Sequence, residues 1–397
     1  MIKRLIVENY KSIETLDVEF GRVTAFVGSN SSGKSNIVDA LRFLRDAVRL
    51  GLDRAISDRH GIDSIRRWSP KKPYQIKISV EFEGIGYSEE EFSGEYGLVI
   101  GSSKSEGTFS VLSEHGNFLS YDYISEEEGS DEISFENARI YFDRKSDGRI
   151  SGSFNRNIIG SKDTELESDE IFLSSLIGRI AFEQICDLLY NLEVYSVYPN
   201  TLRQPETPSN DPILSSHGGN FCSVFKRLRK SAAGKRRVRD ITDAMRLILG
   251  NLDEIRIQSV GGYLTPMFRV KEDNEAGHDF NVSQISDGTL RVLGLLLALY
   301  QSPRPDIIAL EEPELTVNPG VLRMLVESIR EASEASQIIL TTHSPELVDM
   351  LNPEEVRAVE LEGGKTIVNP VAQSQLRAVK ENLFTLGQIM VSEGISG

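Results

Sequence analysis

The chain has 397 residues, with 44 Lys and Arg against 60 Asp and Glu, a formal charge of −16 at pH 7. Hydrophobic residues at 39% and charged residues at 26% describe a globular protein with core enough for one large domain or two ordinary ones. The acidic balance excludes a protein that coats nucleic acid or membrane through overall positive charge, and no apolar run reaches the roughly 20 residues of a membrane helix.

The first ten residues contain Glu8 and no small-residue cleavage site, so no signal peptide is expected. Val23–Val27 predicts an apolar strand, and the chain from Lys34 predicts a helix with Ile37, Val38, Ala40, Leu41 and Leu44 on its apolar face. Between them, Gly28-Ser-Asn-Ser-Ser-Gly-Lys-Ser35 fits G-x-x-x-x-G-K-[ST] in full, in the strand–helix context that the pattern requires. Its glycines let successive N–H groups point into one nest, and the helix N-terminus adds positive partial charge, so a polyphosphate can be held there. Gly28, Asn30, Ser31, Ser32, Gly33, Lys34, Ser35 and Asn36 are the expected nucleotide contacts. Lys34 supplies the full charge toward the β- and γ-phosphates, and the Ser35 hydroxyl suits Mg²⁺. A chance glycine-rich turn is the alternative.

Tyr74–Glu83 alternates apolar and polar residues as a half-buried strand does. From Gly86 to Glu170 there are 20 acidic and 7 basic residues. Short β-like runs (Tyr96–Ile100, Phe118–Ile124, Ala138–Phe142) break this stretch, which predicts an antiparallel lobe with a solvated acidic face. Ile171–Asn191 predicts one long helix burying Phe172, Leu173, Leu176, Ile177, Ile180, Ile185, Leu188 and Leu189. Pro199–Pro212 reads as a loop. Phe225–Arg239 carries eight basic residues and no acid; it is either a phosphate-contacting surface or a solvated segment balancing nearby acids. Cys186 and Cys222 have no CxxC spacing and are expected to be reduced, structural thiols of a cytoplasmic protein.

Ser283–Arg291 leads into an apolar helix, Val292–Tyr300, with Ser286 or Asp287 as its N-cap. This is either a capped core helix or a second helix N-terminus offering N–H groups to a γ-phosphate. Asp306–Glu314 is an apolar strand that ends in carboxylates. If strand geometry continues, Glu311 and Glu312 point to opposite sides, one toward hydrated Mg²⁺ and the other toward an attacking water; a solvated acidic turn is the alternative. Gln337–Pro345 is a second apolar strand with His343 at its end. A lone histidine is more often structural, yet this one ends a strand 31 residues after Glu312. The alternation of strands and helices gives an α/β fold class, with the two ends of the chain building one sheet around an inserted middle. Four segments are expected: 1–70 with the phosphate loop, a 71–170 acidic β-rich lobe, a 171–240 helical part with the basic cluster, and 241–397. No repeat of 20–50 residues and no sustained heptad is present.

Together these motifs resemble the ATPase heads of the ABC superfamily, in the RecF/SMC branch that includes the overcoming-lysogenisation-defect (OLD) ATPases and stand-alone AAA-type proteins. Gly28–Ser35 matches Walker A, Ile285–Leu290 the signature motif, Ile307–Glu312 Walker B, Leu315–Pro319 the D-loop, and His343 the switch histidine. Ile6–Ile13 resembles the segment whose basic–small pair, here Lys11 and Ser12, lies near the nucleotide. The resemblance covers residues 1–50 and 240–397 and implies a P-loop fold that binds and hydrolyses ATP with Mg²⁺. It further implies a homodimer sandwiching two ATPs, each between Walker A of one chain and Ser286, Asp287 and Gly288 of the other. Glu312 would orient water, Glu311 would hold Mg²⁺ with Ser35, and His343 would contact the γ-phosphate. The sequence departs from the pattern in four places. Ser31 stands where relatives carry Gly, tolerable if its φ is negative; Glu311-Glu312 replaces Asp-Glu; no His precedes Asn318 in the D-loop; and the Q-loop falls on either Gln75 or Gln184. The 54 residues after His343 are too few for a Toprim nuclease domain. The effector, a nuclease or toxin, is therefore expected to be separately encoded, with anti-phage defence as the setting and DNA as a possible target. A RecF-like repair clamp and an ATP-binding scaffold with little hydrolysis are the alternatives. No membrane partner is implied.

Overall fold

In the computed structural model, residues 1–68, 74–85, 91–103, 107–124, 134–153, 166–271 and 277–395 are described. The parts of the predicted acidic lobe at 86–90, 104–106, 125–133 and 154–165 lie outside them. The chain forms two compact units. One comprises Met1–Gly21, Ser29–Leu192 and Val359–Asn369; the other comprises Arg22–Gly28, Glu193–Ala358 and Pro370–Gly397.

The second unit is built on a parallel sheet. Its strands run in the order Val356–Glu362, Val23–Val27, Gln337–Thr342, Ile307–Glu311 and Leu192–Tyr195. Ala25 stands opposite Leu340, and Leu340 opposite Leu310, in parallel register. The Val23–Val27 and Gln337–Thr342 strands are buried along their whole length, which is why they read as continuous apolar runs rather than alternating ones. The Pro319–Ser333 helix carries the chain from the Ile307–Glu311 strand back to the parallel Gln337–Thr342 strand. The Asp287–Tyr300 helix is buried from Thr289 to Tyr300, with Ser286 as its N-cap. A helix that is apolar all round belongs inside the core, where each fully buried leucine contributes about 1.5–3 kcal/mol. The basic segment lies on two helices, Phe221–Leu228 and Ala232–Leu249. The second starts at Ser231, whose hydroxyl accepts the Gly234 N–H at 2.9 Å.

The first unit carries a seven-stranded antiparallel sheet. Its order is Ile13–Glu19, Ile2–Tyr10, Gln75–Ile85, Glu91–Ser102, Phe109–Ile124, Ser134–Lys145 and Ile150–Ser153. The alternation read at residues 74–83 is realised: Ile76, Ile78, Val80 and Phe82 are buried, while Lys77 pairs with Glu8 at 3.1 Å. Phe118, Phe142, Phe172 and Phe182 form an aromatic layer with ring centroids 4.6–6.0 Å apart, within the range of favourable ring pairs. Glu114 is buried beneath this layer. It accepts from Tyr96 OH at 2.9 Å and from the N–H groups of Phe172 and Leu173 at 2.6 and 3.2 Å. Burial pushes its carboxyl up to about 7 despite those three donors.

The single helix expected over Ile171–Asn191 is not formed. A 3₁₀ turn at Phe172–Ser174 precedes two short helices, Leu176–Ala181 and Glu183–Tyr190. Ser175 accepts the Gly178 N–H and so caps a new helix, and Phe182 sits outside the helical region at φ −126°, ψ 40°. Leu176 and Ile180, expected in the core, are exposed. Both cysteines are free and buried; burial pushes the Cys186 thiol up to about 12, which makes it a poor nucleophile.

Candidate nucleotide site

In the first unit the phosphate loop runs into the 17-residue Lys34–Leu50 helix, which no side chain caps. Its buried stripe, Ile37, Val38, Ala40, Leu41 and Leu44, is the one read from the sequence. Gly33 has φ +103°, a conformation natural to glycine, and any Cβ there would collide with the Thr366 hydroxyl. Ser31 also takes a positive φ, +67°. The condition under which a serine is tolerated there is therefore not met, and a non-glycine residue in this conformation costs about 1–2 kcal/mol. Lys34 is buried and its Nζ donates to the Ser29 carbonyl at 2.8 Å. Asn30, Ser31 and Ser35 are exposed, whereas Ser32 is buried and its Oγ makes no hydrogen bond. An uncapped helix start, an unused hydroxyl and a lysine folded over the loop together fit a polyphosphate.

The loop is braced by a residue that the sequence did not point to. Thr366, in the 359–369 hairpin, donates to the Ser32 carbonyl at 3.0 Å and shares a 2.7 Å hydrogen bond with Ser12 Oγ. Ser12 Oγ also accepts Asn36 Nδ2 at 2.6 Å. Ser12 and Asn36 thus spend their side chains on holding the loop. Lys11, at φ +49°, pairs with Asp39 on the helix at 2.5 Å, and Tyr10 OH donates to the same carboxylate at 2.7 Å. The Arg59 and Lys11 charges hold the Asp39 carboxyl below its usual range in spite of burial. Gln75 begins a strand of the sheet and Gln184 lies on the Glu183–Tyr190 helix.

In the second unit, the carboxyl ends of three neighbouring parallel strands carry Gly28, His343, and Glu311 with Glu312. This is the edge of an α/β sheet where ligands gather. Gly28 N–H donates to the Thr342 carbonyl at 3.4 Å, and Glu312 N–H to the Thr341 carbonyl at 2.9 Å. The strand ends at Glu311, and Glu312 turns to φ +45°, so the expected strand alternation of the two carboxylates does not continue. Tertiary contacts impose that turn. Arg291, buried on the Asp287–Tyr300 helix, donates to the carbonyls of Glu311 and Glu312 at 3.3 and 2.9 Å and to Val197 at 2.8 Å. His343 Nδ1 lies 3.4 Å from Glu312 Oε1 and 3.7 Å from Glu314 Oε1. Glu314 is buried and accepts from Thr342 Oγ1 at 2.6 Å and from His343 N–H at 3.1 Å. In this unit Arg291 and Glu314 are residues that sequence reasoning missed, as it missed Thr366 in the first; the only signal for these two was a charge inside or beside an apolar run.

Ser286 and Asp287 are exposed at the start of the same helix. The Ser286 hydroxyl is 2.7 Å from Thr289 Oγ1, and Asp287 pairs with Arg203 at 2.6 Å. Gly288 packs on the Thr316 carbonyl, where a Cβ would not fit; this ties the signature-like segment to the Leu315–Pro319 turn. Among the described residues no group of three or more His, Cys, Asp or Glu side chains clusters as a metal site.

The sequence model of the family described as "AAA domain, putative AbiEii toxin, Type IV TA system" matches residues 23–349. The chain belongs to this family. Among solved structures it is similar to an Smc head bound to the C-winged helix domain of ScpA, with 13% identity, a TM-score of 0.54, and coverage of 94% of this chain and 99% of that one. A second likeness is to an Smc head domain with an extended coiled coil, bound to the C-terminal domain of ScpA derived from Pyrococcus furiosus. There the identity is 12%, the TM-score 0.50, and the coverage 96% and 99%. No curated protein gives a significant match. The fold is thus that of the SMC head domains, a mixed α/β P-loop NTPase fold. Among the described residues, no helix is long and apolar enough to cross a membrane.

Proposed function

We propose that the chain is an ATP-hydrolysing switch in which Gly28–Ser35 binds ATP, Glu312 orients the attacking water and His343 senses the γ-phosphate. Lys34 neutralises phosphate charge, and Ser35 and Glu311 are the protein ligands of Mg²⁺, which supplies further charge neutralisation when bound. Asn30, Ser31, Ser32 and Gly33 line the loop, with Lys11, Ser12 and Asn36 behind it. The observation that carries the reading is the placement of His343 within 3.4 Å of Glu312, at the ends of adjacent parallel strands. Glu311 replaces the commoner Asp without losing its place at the strand end.

Exposure of Ser286 and Asp287 supports a homodimer in which Ser286, Asp287 and Gly288 of one copy meet the ATP of the other. Binding would then close the pair and hydrolysis release it, a population shift driven by the ligand. The family description sets such AAA domains in a type IV toxin–antitoxin system, which supports a separately encoded partner; that partner would be the effector, a nuclease or toxin, acting in anti-phage defence in the cytoplasm. Light scattering on Glu312→Gln should give twice the chain mass with Mg²⁺-ATP and the chain mass without it. Single-chain mass in both conditions would contradict the dimer. Fluorescent-ATP binding that Lys34→Ala leaves unchanged would contradict the role of the loop.

A second reading has its own observation. Lys226, Lys230, Lys235, Arg236 and Arg239 are all exposed, and this face supports DNA-backbone binding in the manner of a repair ATPase. Arg237 is not part of it, since its Nη1 donates to the Gln301 carbonyl at 2.8 Å.

A further inference from the structure

Two buried polar atoms at the strand ends make no hydrogen bond: Nδ1 of His343, and Oε2 of Glu314, the carboxylate whose other oxygen, Oε1, lies 3.7 Å from that Nδ1. The Glu314 side chain is only 6% exposed, so an unused carboxylate oxygen there is destabilising unless it serves some other state. His343 Nδ1 stands between two carboxylates, 3.4 Å from Glu312 and 3.7 Å from Glu314, slightly too far for a hydrogen bond to either. Glu314 itself is fixed by Thr342 Oγ1 and by the His343 amide, and the Val317 N–H donates to its carbonyl at 2.9 Å.

We propose that Glu314 is a positioning residue: it takes the Nδ1–H of His343, fixing the ring's tautomer and leaving Glu312 free for water. The proposal rests on the ATPase reading for its consequence in turnover, and on geometry alone for the histidine's tautomer. The chemistry is that of a carboxylate that orients a working imidazole. An imidazole with Nδ1–H given to a carboxylate presents Nε2 as its other face, and the tautomer follows from the partner. Two carboxylates within reach of one Nδ1–H give the ring two partners. In the Glu312-bound arrangement the base is engaged by His343; in the Glu314-bound arrangement it is released. Pro313 between the two glutamates and the Thr342 hydroxyl bond keep Glu314 from following Glu312 into solvent. The two oxygens therefore remain alternative partners rather than one shared acceptor.

The test combines turnover with a spectroscopic readout. Glu314→Gln keeps the shape and one carbonyl oxygen but loses the charge, and Glu314→Asp keeps the charge on a shorter arm. Loss of an orienting partner of this kind typically costs about 10–100-fold. In Glu314→Gln, kcat should fall by that factor, with KM for ATP and the melting temperature near those of the wild type, and Glu314→Asp should recover part of kcat. Long-range ¹⁵N–¹H spectra of the imidazoles, with the His343 signal assigned by loss in His343→Gln, should show the Nδ1–H form in the wild type and not in Glu314→Gln. An unchanged kcat with an unchanged tautomer would overturn the proposal, as would equal losses of kcat and melting temperature in both variants. If the wild type shows no Lys34-dependent turnover, the ATPase reading fails, and the tautomer spectrum still decides the positioning role.

Discussion

At the residue scale, much of the candidate site is held by single hydroxyls and carboxylates that no short motif contains. Thr366 Oγ1 closes a chain from Ser32 O through Ser12 to Asn36, and the closest part of that chain in sequence is 330 residues away from it. Thr366→Val leaves the Ser12 hydroxyl without its 2.7 Å partner and removes the donor to Ser32 O, at a cost of about 1–3 kcal/mol. The expected result is a lower melting temperature and weaker ATP binding by titration, with Thr366→Ser close to wild type; equal effects in both variants would contradict the hydroxyl's role. The contiguous residues were legible: Gly28–Ser35 announces its chemistry because all its donors come from one turn. Glu314 and Arg291 were not, because each acts on a residue brought to it by folding. The same cause hid the positive φ of Glu312. Nothing in Leu310-Glu-Glu-Pro313 calls for a left-handed residue; the Thr341 backbone and the Arg291 guanidinium impose it.

At the element scale, apolar periodicity named every strand of the parallel sheet that carries a motif, because buried strands need uninterrupted apolar runs. It failed at Ile171–Asn191, where helical spacing persists across two breaks. Ser175 starts a new helix with its side-chain cap and Phe182 ends it with a single backbone rotation, and neither disturbs the pattern of apolar residues. The broken element is tied to the sheet by Glu114, which bridges the Phe109–Ile124 strand to the 3₁₀ turn. Its carboxyl titrates near pH 7 in the folded chain, against an ordinary 4.5. The folded state therefore holds a proton that the unfolded state lacks between those values. This contribution is fully present below pH 4.5 and is lost as pH rises to about 7, a swing of roughly 3 kcal/mol. Melting curves of Glu114→Gln and wild type should diverge in favour of the variant as pH rises from 5 to 7.5. A constant gap over that range would contradict the assignment.

At the scale of the whole molecule, the charge of −16 is a poor guide to partners, because the 86–170 stretch alone carries 20 acids against 7 bases. The second unit, by contrast, exposes Lys226, Lys230, Lys235, Arg236 and Arg239 along two consecutive helices and the turn between them. Reversing Arg236 and Arg239 to Glu should weaken DNA binding at low salt and flatten its salt dependence, since each lost phosphate contact lowers the slope by about one. Unchanged titrations would remove this surface from the account. The two units also interleave along the chain, which leaves the second unit at Gly28 and enters the first at Ser29, inside the phosphate loop itself. We propose that this loop and the Glu312–His343 pair serve one hydrolytic reaction. Phosphate release with Mg²⁺-ATP tests it most directly, comparing wild type, Lys34→Ala and Glu312→Gln. The account predicts release by the wild type, background in Lys34→Ala, and a loss of about 100-fold or more in Glu312→Gln with ATP binding retained. Wild-type release indistinguishable from that of Lys34→Ala would contradict it.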